Sequence, residues 1–183
     1  MLSSTDVNVL VCGHIDIIQE QFDTFYVPDI EALLIEAKGY GRSVTFYVGG
    51  ASGTDDYAQK YLANKGYTLV VCDKGEQNNV KYATEDLKIE HKNGFESYPA
   101  RDQYMVQQCR GICLILRNIP KSLGSGSFHS LISMDPSLGK DLADKFQQHA
   151  RAQDYETIEQ CIESFGEYTT QLKEYASKVL TME

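Results

Sequence analysis

The sequence predicts an α/β fold, namely a doubly wound, mainly parallel sheet with a helical C-terminal extension. Short apolar runs rich in β-branched residues alternate with stretches of helical spacing, and two of these runs lead towards glycine-rich turns. This alternation is typical of strand–helix–strand units that cover both faces of a parallel sheet. From residue 135 onward the spacing is helical, with no strand pattern. We therefore expect a core over residues 1–134 and a helical extension over 135–183.

The first strand is predicted at Val7–Gly13, because a continuous apolar run that ends in glycine suits a strand buried on both faces. A helix follows over 28–39, with proline near its start and glycine at its end. The later elements are predicted from the same patterns as strand 44–48, helix 54–65, strand 68–72, helix 99–110 and strand 112–117. The polar segment 73–97 reads as a long connection or lid rather than a regular element.

Composition restricts the class of protein. The chain has 183 residues, 42% of them hydrophobic, which suits one domain with a full core. Its net charge of −9 repels phosphate polymers, so we expect neither a nucleic-acid polymer nor a membrane as partner. No apolar run approaches the roughly 20 residues of a membrane span, and the N-terminus lacks a signal-peptide pattern. We expect a cytoplasmic location.

The five cysteines lie mostly in apolar segments, which favours buried free thiols in a reducing compartment. Cys109 and Cys113 are close in the chain, but no second Cys/His pair completes a zinc set. We expect no metal and no cofactor.

Two glycine-rich turns are the candidate binding elements. Their candidate residues are Gly49, Gly50, Ser52, Gly53 and Thr54 in the first turn and Gly124, Gly126 and Ser127 in the second. A strand that passes through glycine into a helix presents unpaired backbone N–H groups at the positive end of a helix dipole, which suits phosphate. The alternative is that the glycines only make tight turns. Because both turns are predicted at carboxyl ends of strands, ligand binding is favoured.

The segment Gly49-Gly50-Ala51-Ser52-Gly53-Thr54-Asp55 resembles the Gly-Gly-Ala-x-Gly-x-Asp turn of the SLOG superfamily, which includes the LOG phosphoribohydrolases and the DprA family. The stretch Ala100-Arg101-Asp102-Gln103-Tyr104-Met105 is similar to the Arg-Asn-x-x-Met stretch of uncharacterised bacterial families in that group. Gly124-Ser125-Gly126-Ser127 stands where relatives have Gly-Gly-x-Gly-Thr. The resemblance covers about residues 7–134. It implies a Rossmann-like fold in which both turns hold the phosphate and ribose of a nucleotide-like ligand.

One departure from the superfamily pattern bears on catalysis. LOG enzymes have a glutamate, implicated in cleavage of an N-glycosidic bond, three residues after the threonine of the second turn. Here Ser127 stands for the threonine and Ser130 occupies the glutamate position. A serine supplies no carboxylate to stabilise an oxocarbenium-like centre or to activate water. In an enzymatic alternative, Asp55 or His129 would replace the missing glutamate.

Other side chains outside the glycines are also candidates for the same site. Arg101 could hold a phosphate through two hydrogen bonds, or it could form a surface patch with Asp102 or a salt bridge to the lid. Asp55 either caps its helix or accepts a ribose hydroxyl. His14, directly after the first strand, is a candidate base or stacking partner or a structural histidine. Tyr98 and Tyr104 are candidates for base stacking, although packing is the more usual role of a tyrosine.

The function that these observations favour is binding of a nucleotide or nucleotide-derived small molecule through the two turns. Two alternatives stay open: a nucleoside-phosphate N-glycosidase, and a non-catalytic interaction module that forms a homo-oligomer through the C-terminal helices. If the turns bind phosphate, we expect a side chain at Gly50 to abolish binding while the fold stays intact.

Overall fold

The computed structural model describes residues 6–13, 15, 17–109 and 113–116, with Asp6 and 113–116 described by their backbone alone. The elements of this part are β1 (Asp6–Cys12), α1 (Gln19–Phe25), α2 (Val27–Gly39), β2 (Ser43–Gly49), α3 (Thr54–Asn64), β3 (Thr68–Lys74), β4 (Glu90–Phe95), α4 (Tyr98–Gln108) and β5 (Cys113–Leu116). The predicted C-terminal extension, 135–183, lies outside the described residues.

The described strands form one sheet in the order β4-β3-β2-β1-β5, and every neighbouring pair is parallel. The chain adds strands from β1 outward to β4, after which α4 carries it back to the other side of β1. All carboxyl ends of these strands therefore lie along one edge. The predicted α/β fold with a parallel sheet is confirmed.

Two apolar clusters cover the two faces of the sheet. Phe46 and Val71 point to the face covered by α1, α2 and α3, whereas Tyr47 and Val70 point to the face covered by Met105 and its neighbours on α4. Phe46 and Tyr47, like Val70 and Val71, lie on opposite faces because successive side chains of a strand point to opposite faces of the sheet. Among the described helices, none has both the length and the apolar character needed to span a bilayer.

Two elements differ from the sequence-based prediction. Residues 90–95, inside the segment expected to hold no regular element, form β4 and pair with β3 at the edge of the sheet. Their sequence is polar because an edge strand is less covered than a central one, so no apolar run marks it. The short helix α1 was also missed, because Phe22 is its one buried residue and gives no periodic pattern.

Cys72 and Cys109 are buried free thiols, as predicted. Burial raises the pKa of Cys72 to about 12. The neutral thiol is therefore the form present near neutral pH, and it packs as a small apolar group.

Gly53, immediately before α3, requires glycine for its backbone conformation, since its φ is 72°. We expect Gly53→Ala to lower the free energy of unfolding by about 1–3 kcal/mol in urea denaturation. Gly39→Ala is the matched control, because Gly39 lies in α2 and no atom lies within 4 Å of its Cβ position. Alanine there should leave stability unchanged or slightly raised. Equal losses in the two variants would contradict this account.

Candidate functional site

A cavity of about 460 Å³ lies at the carboxyl edge of the sheet, where β2 and β3 end and α4 begins. Its wall includes Gly50, Ala51, Asp73, Tyr98, Arg101 and Asp102. Gln77 and Asn79, from the connection between β3 and β4, complete the wall. Because α3 and α4 both begin at this edge, the positive ends of two helix dipoles lie beside the cavity. Parallel α/β sheets bind their ligands at such an edge.

Arg101 lies inside the protein, where it is bonded to the carboxylate of Asp102 and is influenced by the charge of Asp55. Its Nε and Nη2 donate to Oδ1 of Asp102 at 3.0 and 2.7 Å, and the two residues are 9% and 4% exposed. The guanidinium also shares the space beside Gly49 with Asp55. A Cβ at Gly49 would lie 2.5 Å from Asp55 Oδ2 and 3.2 Å from Arg101 Nη1. The predicted Arg101–Asp102 contact forms, but it is a buried ion pair, so the surface-patch alternative is wrong.

The Asp55 carboxylate accepts a hydrogen bond from one of the backbone N–H groups of the first turn. Its Oδ2 accepts from the Ala51 N–H at 3.2 Å. Burial raises the pKa of Asp55 to about 6, although the Arg101 guanidinium and the Ala51 N–H both lower it. Asp55 is not part of the cavity wall. The first glycine turn was predicted to offer its N–H groups to a ligand anion. The Ala51 N–H of this turn is instead bonded to a carboxylate of the protein itself.

Asp73 is 1% exposed at the end of β3 and fixes the connection that follows. Its Oδ2 accepts from the Asn79 backbone N–H at 2.8 Å and lies 2.9 Å from His91 Nε2, and its Oδ1 accepts from the Asn79 amide. Gly50 makes room for this arrangement. A Cβ at Gly50 would lie 2.6 Å from Asn79 Nδ2 and closer still to Asp73. A side chain at Gly50 would therefore displace the side chains of Asp73 and Asn79. That the fold stays intact in such a variant stays a prediction.

A second tie holds the same connection to α3. Lys81 Nζ lies 2.8 Å from Asp56 Oδ1, and the Tyr82 hydroxyl donates to that oxygen at 3.4 Å. The segment predicted as a lid is thus bonded to the carboxyl edge through Asp73 and Asp56, and it forms one wall of the cavity.

Tyr98, the first residue of α4, stands at the rim of the cavity with 47% of its surface exposed. Arg101 Cζ and Lys74 Nζ each lie 5.0 Å from its ring centroid, within the range of cation–π contacts. Ser97 Oγ accepts from the Ala100 N–H at 3.2 Å and caps α4, so the position of the ring is set by a defined helix start.

The predicted site residues have different outcomes. Gly49, Gly50, Asp55 and Arg101 come together at the carboxyl edge. Ser52 is exposed, whereas Thr54 is fully buried and packs towards Gly13 rather than into the cavity. The predicted residues that lie outside the described part of the chain are His14, Gly124, Gly126, Ser127, His129 and Ser130.

Sequence reasoning missed Asp73 and Asn79, and it weighed Asp102 only as a partner of Arg101. Asp73 had a usable signal, because it directly follows the apolar run of the third strand and so falls at the carboxyl edge. Asn79 had none, since its role depends on how the connection folds back onto Asp73.

A second cavity of about 460 Å³ lies at the opposite, amino edge of the sheet, next to Lys38, Arg42 and Tyr67. The helix α2 ends there, so the dipole at that edge has the opposite sign. The described wall of this cavity contains none of the predicted site residues. The carboxyl-edge cavity is therefore the stronger candidate.

Comparison of the chain with protein-family models, with curated proteins and with solved structures gives no match. The site is accordingly interpreted from its own residues.

Gly50→Ala tests the close packing at the first turn. We expect it to lower the free energy of unfolding by about 1–3 kcal/mol, because the added methyl group displaces Asp73 and Asn79. Urea denaturation measures the effect, with Gly39→Ala as the control for glycine removal alone. An unchanged stability would show that the Asp73–Asn79 pair moves without cost.

The pKa of Asp55 predicts a pH dependence of stability. Its value of about 6 lies above the usual 3.8, so the native state holds a proton that the unfolded chain releases between these values. The stabilisation that protonated Asp55 gives to the native state is complete below about pH 4 and is lost as pH rises through 6. Relative to Asp55→Asn, which does not titrate, wild-type stability should fall over this window by at most on the order of 3 kcal/mol.

Urea denaturation of both proteins from pH 4 to 8 measures this difference. The charged groups facing Asp55 are Arg101, Asp102 and Asp73. If the stability of the wild type relative to Asp55→Asn rises with pH instead, the attraction between Asp55 and Arg101 outweighs the effect of burial on the pKa of Asp55.

Proposed function

We propose that the chain binds a nucleotide or a nucleotide-derived small molecule at the carboxyl edge of its sheet. The observation that carries this proposal is the composition of the cavity wall. A glycine-turn backbone, a buried ion pair and an exposed aromatic ring meet there within one concave site. Concave sites with a few fixed polar groups are typical of small-molecule binding.

Each part of the wall matches a part of such a ligand. The exposed ring of Tyr98 offers a stacking surface for a base, which would displace the Lys74 ammonium from the ring. Asp102 and the amides of Gln77 and Asn79 offer hydrogen-bonding groups for a sugar. The second glycine turn, Gly124 to Ser127, belongs to this proposal as the holder of the phosphate.

The order of the described strands supports a Rossmann-like, doubly wound fold as part of the same proposal. The chain reverses its direction of strand addition at β1, as doubly wound sheets do. Membership of the SLOG superfamily is likewise proposed on the two sequence stretches that resemble it. Among the described residues no observation favours the N-glycosidase alternative, because Asp55 is bonded to Ala51 behind the cavity wall.

Thermal-shift measurements test the proposal on the full chain, with AMP, ADP, NAD, ADP-ribose, cyclic nucleotides and deoxynucleoside monophosphates as probes. A ligand at 100 times its Kd adds about 2.7 kcal/mol to stability, a shift of several degrees for one domain. Chromatography of the same mixtures detects released base, which would support the enzymatic alternative. No shift with any probe would overturn the proposal.

Tyr98→Ala tests the stacking surface. Loss of a base–aromatic stack costs about 1–3 kcal/mol, so the Kd of a stabilising nucleotide should rise roughly 5- to 150-fold in calorimetric titration. Tyr98→Phe keeps the ring and should keep the affinity. Tyr40→Ala is the matched control, since Tyr40 is 53% exposed directly after α2, at the other edge of the sheet. If Tyr98→Ala binds the nucleotide with the affinity of the wild type, the ring of Tyr98 does not contribute to binding.

A further inference from the structure

We infer that the carboxyl-edge cavity recognises the sugar hydroxyls of a nucleoside, with Asp102 as acceptor, and does not hold the phosphate. The inference rests on the proposed function and deepens it by naming the ligand group that the described residues select.

The charge of the site disfavours phosphate. The carboxylates of Asp55, Asp73 and Asp102 lie in or directly behind the wall, against the single guanidinium of Arg101. Lys74 adds a cation only at the rim, over the Tyr98 ring. A phosphate dianion placed in this cavity would meet a net excess of like charge from the nearby carboxylates. A neutral hydroxyl meets no such repulsion.

The backbone features that would hold a phosphate are also occupied. The Ala51 N–H donates to Asp55, and the space beside Gly50 is filled by Asp73 and Asn79. These carboxylates belong to the chain and stand where a bound anion would stand. At Gly50 and Ala51 the first glycine turn is therefore occupied by side chains of the protein itself.

One acceptor and one donor remain on the buried ion pair. Both hydrogen bonds from Arg101 end on Oδ1 of Asp102, so Oδ2 accepts none from the described part of the chain. Arg101 Nη1 likewise donates to no described group. Both residues line the cavity. A hydroxyl both donates and accepts and so satisfies this pair, whereas a phosphate oxygen only accepts.

Calorimetric titration of the full-length protein tests the inference with three sets of probes. These are the four common ribonucleosides, their 2′,3′-dideoxy counterparts and their 5′-monophosphates. Inorganic phosphate in large excess serves as a competitor. We expect at least one ribonucleoside to bind and its dideoxy counterpart to bind roughly 10- to 100-fold more weakly, the range for a hydrogen bond to a charged group. Inorganic phosphate should leave the nucleoside affinity unchanged.

The Asp102→Asn variant then tests whether Asp102 is the acceptor of the sugar hydroxyls. It keeps the side-chain size and removes the charge, so the ribonucleoside should lose most of its advantage over the dideoxy form. Asp23→Asn is the matched control, because Asp23 is exposed on α1, outside the cavity wall, and the variant should retain the full advantage. If Asp102→Asn fails to fold, the wild-type comparison still decides whether the hydroxyls are recognised.

The outcomes separate the two proposals. Equal binding of ribonucleoside and dideoxynucleoside, or displacement of the nucleoside by inorganic phosphate, would overturn this inference and leave the proposed function standing. Absence of binding by every nucleoside and nucleotide would overturn both.

Discussion

A buried guanidinium must be neutralised by nearby carboxylates, because an unpaired charge inside a protein costs several kcal/mol. Arg101 meets this condition through Asp102 on its own helix and Asp55 on α3. The close approach of Asp55 and the guanidinium to Gly49 requires that this residue has no side chain, since a Cβ there would lie 2.5 Å from Asp55 Oδ2 and 3.2 Å from Arg101 Nη1. The ends of β2, α3 and α4 are thus held in one arrangement by charge, and the cavity wall depends on it.

The positive end of the α3 dipole at the carboxyl edge is also matched by carboxylates of the chain. Asp55 and Asp56 lie in the first turn of α3, where a negative charge is favourable. A phosphate bound at the start of α3 would compete with these carboxylates for the same positive end. The features that make a strand–glycine–helix turn suitable for an anion are therefore used for folding, and what remains open to a ligand is hydrogen bonding and an aromatic surface.

The long connection after β3 depends on one carboxylate. Asp73 accepts from Asn79 and contacts His91, so a single buried side chain joins the start of the connection, its middle and the edge strand β4. With the tie between Lys81 and Asp56, this bonding turns a polar segment with no apolar pattern into a fixed wall.

The sequence by itself determined the central strands and the helices α2, α3 and α4, because apolar periodicity and the punctuation by Pro28 and Gly39 are local properties of the chain. It also placed Gly49, Gly50 and Arg101 at one edge of the sheet. Only the tertiary structure decided which atoms fill the space beside Gly49 and Gly50. Apart from Asp55, the atoms beside them belong to residues far along the chain, namely Asp73, Asn79 and Arg101, and contacts of that kind leave no periodic pattern in the sequence. For the same reason β4 was missed, since a polar edge strand is specified by its pairing with β3 and not by its composition.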